Sequence, residues 1–489
     1  MTNTIDFQDN FRCDFYHLTM AQTLFLDGEH NKPETFEMYI RRNPFKGGYT
    51  VAAGLGPVLE WIKNWGYTDQ QIQFLREQKT PTGKPMFKAE FIDMLKNTPL
   101  QVNIDAIPEG EVFFPNEPVA RVTGPAWQCS MVETAFLNGI NAASLIATKA
   151  ARIVTAADGR NVMEFGLRRA QDRQGMMPTR AAAVGGILTT SNVDAAMRYG
   201  IKAVGTHAHS FVMHYKDEVE AFKAWLKHNP ENATLLIDTY DTIQGAKNAV
   251  AAAKQTGVAL GGVRLDSGDL VYLSKKVRKI LDAGGFKNAK IVASNDLDER
   301  IVQSLIRQGA KIDIFGIGTN LVTAADQPAL GGVYKVKVTD GRDCIKVSED
   351  AIKTTIPGAT EVVRMLEDTK VRKFAGDVIV DVNNKLKAKG RLKEKLVSVN
   401  LANEKEKVFP VGTPYYKPLV QVVRNGKVLG DMDIRPVQEI AKATKVNLAA
   451  LDAAHKRFDE AHIYVAGLEK ELFNRRKDMI KATYAKTGR

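Results

Sequence analysis

Between about residues 160 and 320, short apolar runs recur, each closed by small or polar residues and followed by a helix-compatible stretch. The runs are NVMEFG, IKAVGTH, TLLIDTYD, VALGGVRLDSGD, AKIVASNDLD and IDIFGIGTN. Between them, DTIQGAKNAVAAAKQTG, DLVYLSKKVRKILDAGG and LDERIVQSLIRQGA carry helical spacing and end at or beside Gly, as a helix C-terminus prefers. Asp238, Asp266 and Ser294 follow one another at intervals of 28 residues, about one strand–helix unit. This alternation predicts parallel strands joined by helical crossovers. An open doubly wound sheet and a closed barrel both satisfy it. Polar or small residues (Glu164, Thr206, Asp238, Asp266, Ser294, Gly316) end or follow at least six successive strands. A barrel gathers such ends at one mouth, whereas an open sheet scatters most of them along an edge. The expected fold class is therefore α/β with an irregular TIM-like (β/α) barrel.

The flanks read differently. The first 126 residues mix short strands and helices, punctuated at Gly47-Gly48, Pro81, Pro99, Pro108, Pro115 and Pro118. From Trp127 to Ala157 the Ala-, Leu- and Ile-rich chain predicts a buried packing helix or helix pair. Strand-like runs return between Gly332 and Asp433 (GVYKVKVT, DVIVDV, KVFPVG, PLVQVVRNGKVL), around the lysine-rich NNKLKAKGRLKEKL. From Pro436 the chain reads as helical and charged. The expected segments are 1–126, a barrel over 127–331, a return to the first domain over 332–435, and a helical extension over 436–489.

Composition narrows the class. A chain of 489 residues, 44% hydrophobic and 25% charged, is globular and long enough for two or three domains. Cys13, Cys129 and Cys344 lie far apart, which excludes a disulfide framework and a Cys-rich zinc knuckle. No stretch approaches the ~20 apolar residues that cross a bilayer, and the N-terminus lacks a signal-peptide pattern, so a reducing cytoplasm is expected. The net charge of +12 favours an anionic partner: nucleic acid, membrane surface or phosphorylated metabolites. The basic stretches lack interleaved aromatics and any RNA-binding signature, and they read as solvated surface.

Candidate chemistry sits at the strand ends. In GVRLDSGDL, Arg264, Asp266 and Asp269 surround a Ser-Gly turn. A carboxylate there can hold a ribose diol or, through water, a phosphate-bound magnesium ion, and Arg264 offers a planar fork for an anion. An ordinary turn with an N-cap Asp fits equally well. FGIGTN puts Gly316, Gly318 and Thr319 where backbone N–H groups could form an anion nest, and Ser294-Asn295-Asp296 is either a phosphate binder or a cap. No Walker loop is present, so any nucleoside triphosphate binds without one. GTHAHS holds His207 and His209, which could bind metal, act as a phosphoryl-accepting nucleophile, or be core histidines. EFGLRRAQ sets Phe165 beside Arg168 and Arg169, a pairing that suits a flat anionic ring.

Together these segments resemble the ATP-assisted nicotinate phosphoribosyltransferases. The likeness runs from DFYHLTMAQ through ETAFLNGINAASLIATKAARIV, EFGLRRAQ, TSNVDAAMRYGIKAVGTHAHSF, GVRLDSGDL and SNDLDE to GIGTNLVTAADQPALGGVYKV, about residues 12–340. It implies an α/β sandwich domain built from both chain ends beside the irregular barrel, and a homodimer with shared active sites. Tyr16 from the neighbouring subunit and Phe165 would sandwich the pyridine ring. Thr206 would contact nicotinate, and Arg168 and Arg264 would serve its carboxylate or nearby phosphates. His209 falls where the family carries its phosphohistidine. Asp266 and Asp269 would hold ribose and magnesium-bound pyrophosphate, while Ser294, Asn295, Gly316, Gly318 and Thr319 would surround the 5′-phosphate. The implied reaction joins nicotinate to phosphoribosyl pyrophosphate, with ATP as co-substrate and Mg2+ as cofactor, in NAD synthesis; no nucleic acid or membrane partner is expected. The alternatives are a nicotinamide-specific enzyme, the less fitting quinolinate enzyme, and, from another class, a basic nucleic-acid-binding scaffold.

Overall fold

The computed structural model describes residues 11–171, 173–430 and 435–487. Its contacts divide the chain into two compact units. One takes the chain up to Ser144 with Ala329–Arg435 and Ala443 onward; the other takes Leu145–Pro328 with Pro436–Lys442. The first boundary falls inside the 24-residue helix Glu133–Ala156. A helix interior leaves no break in hydrophobic pattern, which is why the expected segments divide at 126/127 instead.

In the first unit, one seven-stranded sheet interleaves strands from early and late in the chain. Its order is Arg342–Asp343, Gly332–Thr339, Pro33–Ile40, Ala120–Pro125, Asn103–Ala106, Val420–Arg424 and Lys427–Val428, all paired antiparallel. The helix Phe15–Leu26 gives Leu18 and Ala21 to a cluster with Ile72, Leu75, Phe91 and Trp127. A second seven-stranded sheet lies entirely in the C-terminal third. It includes Ala466–Glu469, a strand inside the segment expected to be helical; four residues are too few to show a period. The lysine-rich stretch has a structural explanation here. Leu386 and Leu392 pack into the core of this sheet, while Lys385, Lys387, Lys389, Lys393 and Lys395 are exposed. The two leucines anchor the stretch and the lysines are solvated. Nearby, the fully buried Arg364 forks onto Asp377 and reaches Glu111. Burial beside Asp377 pushes the Glu117 carboxyl well above the usual range.

The second unit carries the predicted alternation. Its parallel strands are β1 (Asn161–Glu164), β2 (Thr189–Thr190), β3 (Lys202–Ala203), β4 (Thr234–Leu236), β5 (Gly262–Leu265), β6 (Lys290–Asn295) and β7 (Ile314–Ile317). The order across the sheet is β3-β2-β1-β7-β6-β5-β4. That is the cyclic order of a barrel opened between β3 and β4, and a doubly wound sheet does not have it. No ladder joins β3 to β4 among the described residues, so the result is a curled, partial barrel. Helices α1 (Met176–Val184), α2 (Val193–Tyr199), α3 (His209–His214), α4 (Glu218–His228), α5 (Thr242–Thr256), α6 (Leu270–Ala283), α7 (Glu299–Arg307) and α8 (Thr319–Val322) alternate with the later strands. Asn192, Asp217, Asp241, Asp269 and Asp298 each cap a helix by accepting the N–H three residues on. Four of these caps hold the turns after β2, β4, β5 and β6 at the strands' carboxyl ends, where candidate residues sit.

Candidate active site

A cavity of about 390 Å³ opens at those carboxyl ends. Phe165, Leu167, Arg168, Ser191, Gly205, Thr206, His207, Ala208, His209, Arg264 and Asp266 line it. Three separate sequence motifs (EFGLRRAQ, GTHAHS and GVRLDSGDL) therefore meet in one place, the size of a small-molecule site.

Arg264, third residue of β5, is the hub. Its Nε donates to Thr206 Oγ1 at 2.9 Å, Nη1 to Asp266 Oδ1 and Ser294 Oγ at 3.1 Å each, and Nη2 to the His207 carbonyl at 3.2 Å. Ser294 Oγ also donates to Asp266 Oδ1 at 2.5 Å. The parallel register sets Arg264 beside Val292 and Ser294 beside Gly316, which lets one guanidinium span two loops and a neighbouring strand. Asp238, just past β4, fixes the turn after β5: its Oδ2 accepts the Asp266 N–H and the Ser267 hydroxyl, both at 2.8 Å. The other oxygen, Oδ1, is buried and has no hydrogen-bond partner among the described residues.

The two histidines of GTHAHS separate cleanly. His207 is buried among Phe211, Phe222 and Trp225, and its Nε2 accepts the Leu236 N–H at 3.1 Å. Burial, with the nearby Arg264 and His209, pushes its imidazole down to about 4. It pins the loop to β4. His209 is 40% exposed at the cavity; its Nδ1 lies 3.2 Å from Thr239 Oγ1 and its Nε2 3.9 Å from Asp266 Oδ2. Because His207 is depressed from 6.5 in the fold, its contribution to stability is complete above pH 6.5 and is lost as pH falls towards 4. The loss reaches about 3 kcal/mol. Thermal midpoints at pH 7 and 4.5 should therefore drop less in His207→Gln than in the parent, and equal drops would remove this role.

Phe165 is held from behind. A Cβ at Gly316 would stand 2.6 Å from the Phe165 ring, so only glycine lets the ring lie against β7. Glu164, fully buried, accepts the Gly166 N–H, the Thr190 hydroxyl at 2.5 Å and the Thr179 hydroxyl at 3.1 Å, which fixes the turn bearing Phe165 and Arg168. The remaining candidates lie off the cavity wall. Asp269 Oδ1 caps α6 by accepting the Tyr272 N–H. Asn295, at φ 148°, shapes the turn after β6, its Oδ1 accepting the Asp296 N–H. Gly318 closely approaches the Phe165 carbonyl, and Thr319 opens the single-turn α8. Tyr16, on the helix Phe15–Leu26 of the first unit, is exposed. Glu164, Asp238, Ser191 and Thr239 join the site although sequence reasoning gave them no role there. Glu164 and Asp238 had a signal, their strand-end positions; Ser191 and Thr239 had none.

The family descriptions of nicotinate phosphoribosyltransferase match three stretches: the N-terminal domain over residues 11–141, the family proper over 160–394 and the C-terminal domain over 360–476. The nicotinate phosphoribosyltransferase of Bacillus subtilis is 42% identical over 388 residues, covering 78% of each chain. That of Dictyostelium discoideum is 35% identical, covering 94% of this chain and 86% of its own. The crystal structure of human nicotinic acid phosphoribosyltransferase shares the fold, with a TM-score of 0.77 at 24% identity over 95% of this chain and 99% of that one. On the matched motifs, the barrel mouth they form and these relatives together, the chain belongs to the nicotinate phosphoribosyltransferase family.

Proposed function

We propose that this protein transfers the 5-phosphoribosyl group of phosphoribosyl pyrophosphate to nicotinate, with ATP driving the reaction through a phosphohistidine at His209. The supporting observation is the convergence of an aromatic face, two arginines, a carboxylate and an accessible imidazole on one cavity. The pyridine ring lies against Phe165, and Thr206 with Arg264 or Arg168 receives its carboxylate. The pyridine nitrogen then attacks C1 of the ribose as the bond from C1 to the pyrophosphate oxygen breaks, through an oxocarbenium-like state. Such a step needs placement and fixed charge more than a strong base. Asp266, already oriented by Arg264 and Ser294, holds the ribose; Ser294, Asn295, Gly316, Gly318 and Thr319 are the candidates for the 5′-phosphate. In the coupling step, the γ-phosphoryl group moves from ATP to the His209 ring, and water later releases it as phosphate.

Magnesium fits this mouth. No cluster of three or more His, Cys, Asp or Glu residues stands ready for a metal among the described residues, but magnesium in phosphate sites takes one or two carboxylates and completes its shell with water and substrate oxygens. Asp266 and Asp269 would hold it, Asp269 through the oxygen that does not cap α6, and the buried Oδ1 of Asp238 is a further candidate ligand. When bound, it offsets charge on the pyrophosphate. No helix among the described residues is long and apolar enough to cross a membrane. We place the enzyme in the cytoplasm, as a homodimer whose Tyr16 serves the partner's ring site. Family membership takes the place of the nucleic-acid-scaffold alternative.

Assaying nicotinate against nicotinamide, each with and without ATP, tests the reading. Turnover should favour nicotinate and rise with ATP; a preference for nicotinamide would replace the substrate, and indifference to ATP would remove the coupling. Gly316→Ala should push the Phe165 ring into the cavity and raise KM for nicotinate about tenfold, the scale of a core overpacked by one methyl group. An unchanged KM would mean that Phe165 does not face the substrate. Mixing Tyr16→Ala with His209→Ala protein should restore part of the activity, since a mixed dimer holds one intact site. No recovery would count against shared sites.

A further inference from the structure

We infer that Thr239 is a positioning residue for His209, setting the orientation of the imidazole for exchange of the phosphoryl group with ATP. The inference rests on the phosphohistidine reading above and adds a residue to it. His209 is the first residue of the six-residue α3, and its ring is two-fifths exposed, so local packing alone does not fix its side-chain torsions. Among the described residues, one of its ring contacts is within hydrogen-bond distance: Nδ1 to Thr239 Oγ1, at 3.2 Å. The approach to Asp266 Oδ2, at 3.9 Å, is too long to orient the ring.

The two residues before Thr239 are anchored to the neighbouring strand and turn. The Ile237 N–H donates to the Arg264 carbonyl at 3.2 Å, extending β4 along β5. The next residue, Asp238, ties down the Asp266 N–H and the Ser267 hydroxyl. Thr239 follows at once, and its β-branched side chain is stiff about χ1. The segment 237–239 thus joins the turn that carries Asp266 to the ring that accepts phosphate. When one ring nitrogen is held in this way, the direction in which the other points follows. A free imidazole would instead spend part of its time in rotamers facing solvent.

The test compares Thr239→Val, which keeps the shape but removes the hydroxyl, with Thr239→Ser, which keeps the hydroxyl. For each protein, the rate of labelling by [γ-32P]ATP is divided by the rate of nicotinate mononucleotide formation without ATP. General damage to the fold lowers both rates and leaves the ratio unmoved. The ratio should fall about tenfold in Thr239→Val, the scale of one lost hydrogen bond, and return to within about twofold of the parent in Thr239→Ser. A parental ratio in Thr239→Val would overturn the inference, as would an equal fall in both variants, which would implicate side-chain volume rather than the hydroxyl. Should the parent take no label, or His209→Ala keep it, the phosphohistidine reading itself fails and the inference goes with it. That outcome is distinct, because the first two arise only where labelling depends on His209.

Discussion

Replacing His209 by Ala should abolish labelling of the protein by ATP and leave a slower, ATP-independent formation of nicotinate mononucleotide. A phosphoryl acceptor needs an accessible ring nitrogen with a free lone pair. Both histidines of GTHAHS line the cavity, but only His209 meets that requirement: its ring is 40% exposed, whereas His207 is buried and its Nε2 already accepts the Leu236 N–H. Labelling should drop at least ~1000-fold, the scale on which covalent catalysis collapses without its nucleophile. The transfer reaction is less exposed to the change, because Arg264, Asp266 and Ser294 hold one another, and Phe165 lies against Gly316, without using the His209 ring. The measurements are acid-labile 32P on the protein and product formation with and without ATP. Persistent label on the variant would assign the phosphoryl group elsewhere, and His207 would then have to leave its aromatic cage to receive it.

How far the chain could be read in advance depended on the length of each signal. The strands β4 to β7 and helices α5 to α7 stood out because apolar runs and helical periods alternated over whole units, punctuated by capping Asp and terminal Gly. Strand β2 did not, since two threonines carry no period. The second sheet of the first unit was visible as strands but not as a sheet, because its pairings join residues as distant as Phe374–Asp381 and Ala466–Glu469. In the site, Arg264, Asp266, His209 and Phe165 could be proposed because their residue types suggest chemistry. Thr239 could not: a threonine after an aspartate in LIDTYD means nothing until the fold brings it to an imidazole 30 residues earlier in the chain. Asp269 shows a residue read both ways. Its residue type and spacing suited a metal or ribose ligand as well as a cap, and in the fold its Oδ1 caps α6. The +12 charge suits three anionic substrates, but charge alone had not distinguished them from a nucleic acid.

Arg264→Ala should raise KM for one anionic substrate far more than it lowers kcat. The guanidinium is mostly buried, and burial lowers its pKa while Asp266 and Asp238 oppose that shift; an arginine stays charged across the working range. Removal breaks four hydrogen bonds at once, to Thr206, Asp266, Ser294 and the His207 carbonyl, and leaves Asp266 facing the cavity without its cation. An anionic ligand then meets an uncompensated carboxylate where it had met a positive fork. Truncating one partner of a buried, hydrogen-bonded charge pair costs roughly 2–5 kcal/mol. The corresponding rise in KM is between about 30-fold and a few thousand-fold. Varying nicotinate at saturating phosphoribosyl pyrophosphate, and then the reverse, identifies the ligand by which KM moves. Arg264→Lys should recover only part of the loss, because an ammonium cannot reach Thr206, Asp266 and an anion in one plane. If neither KM changes in the Ala variant, Arg264 only braces the mouth, and Arg168 becomes the cation that receives the carboxylate.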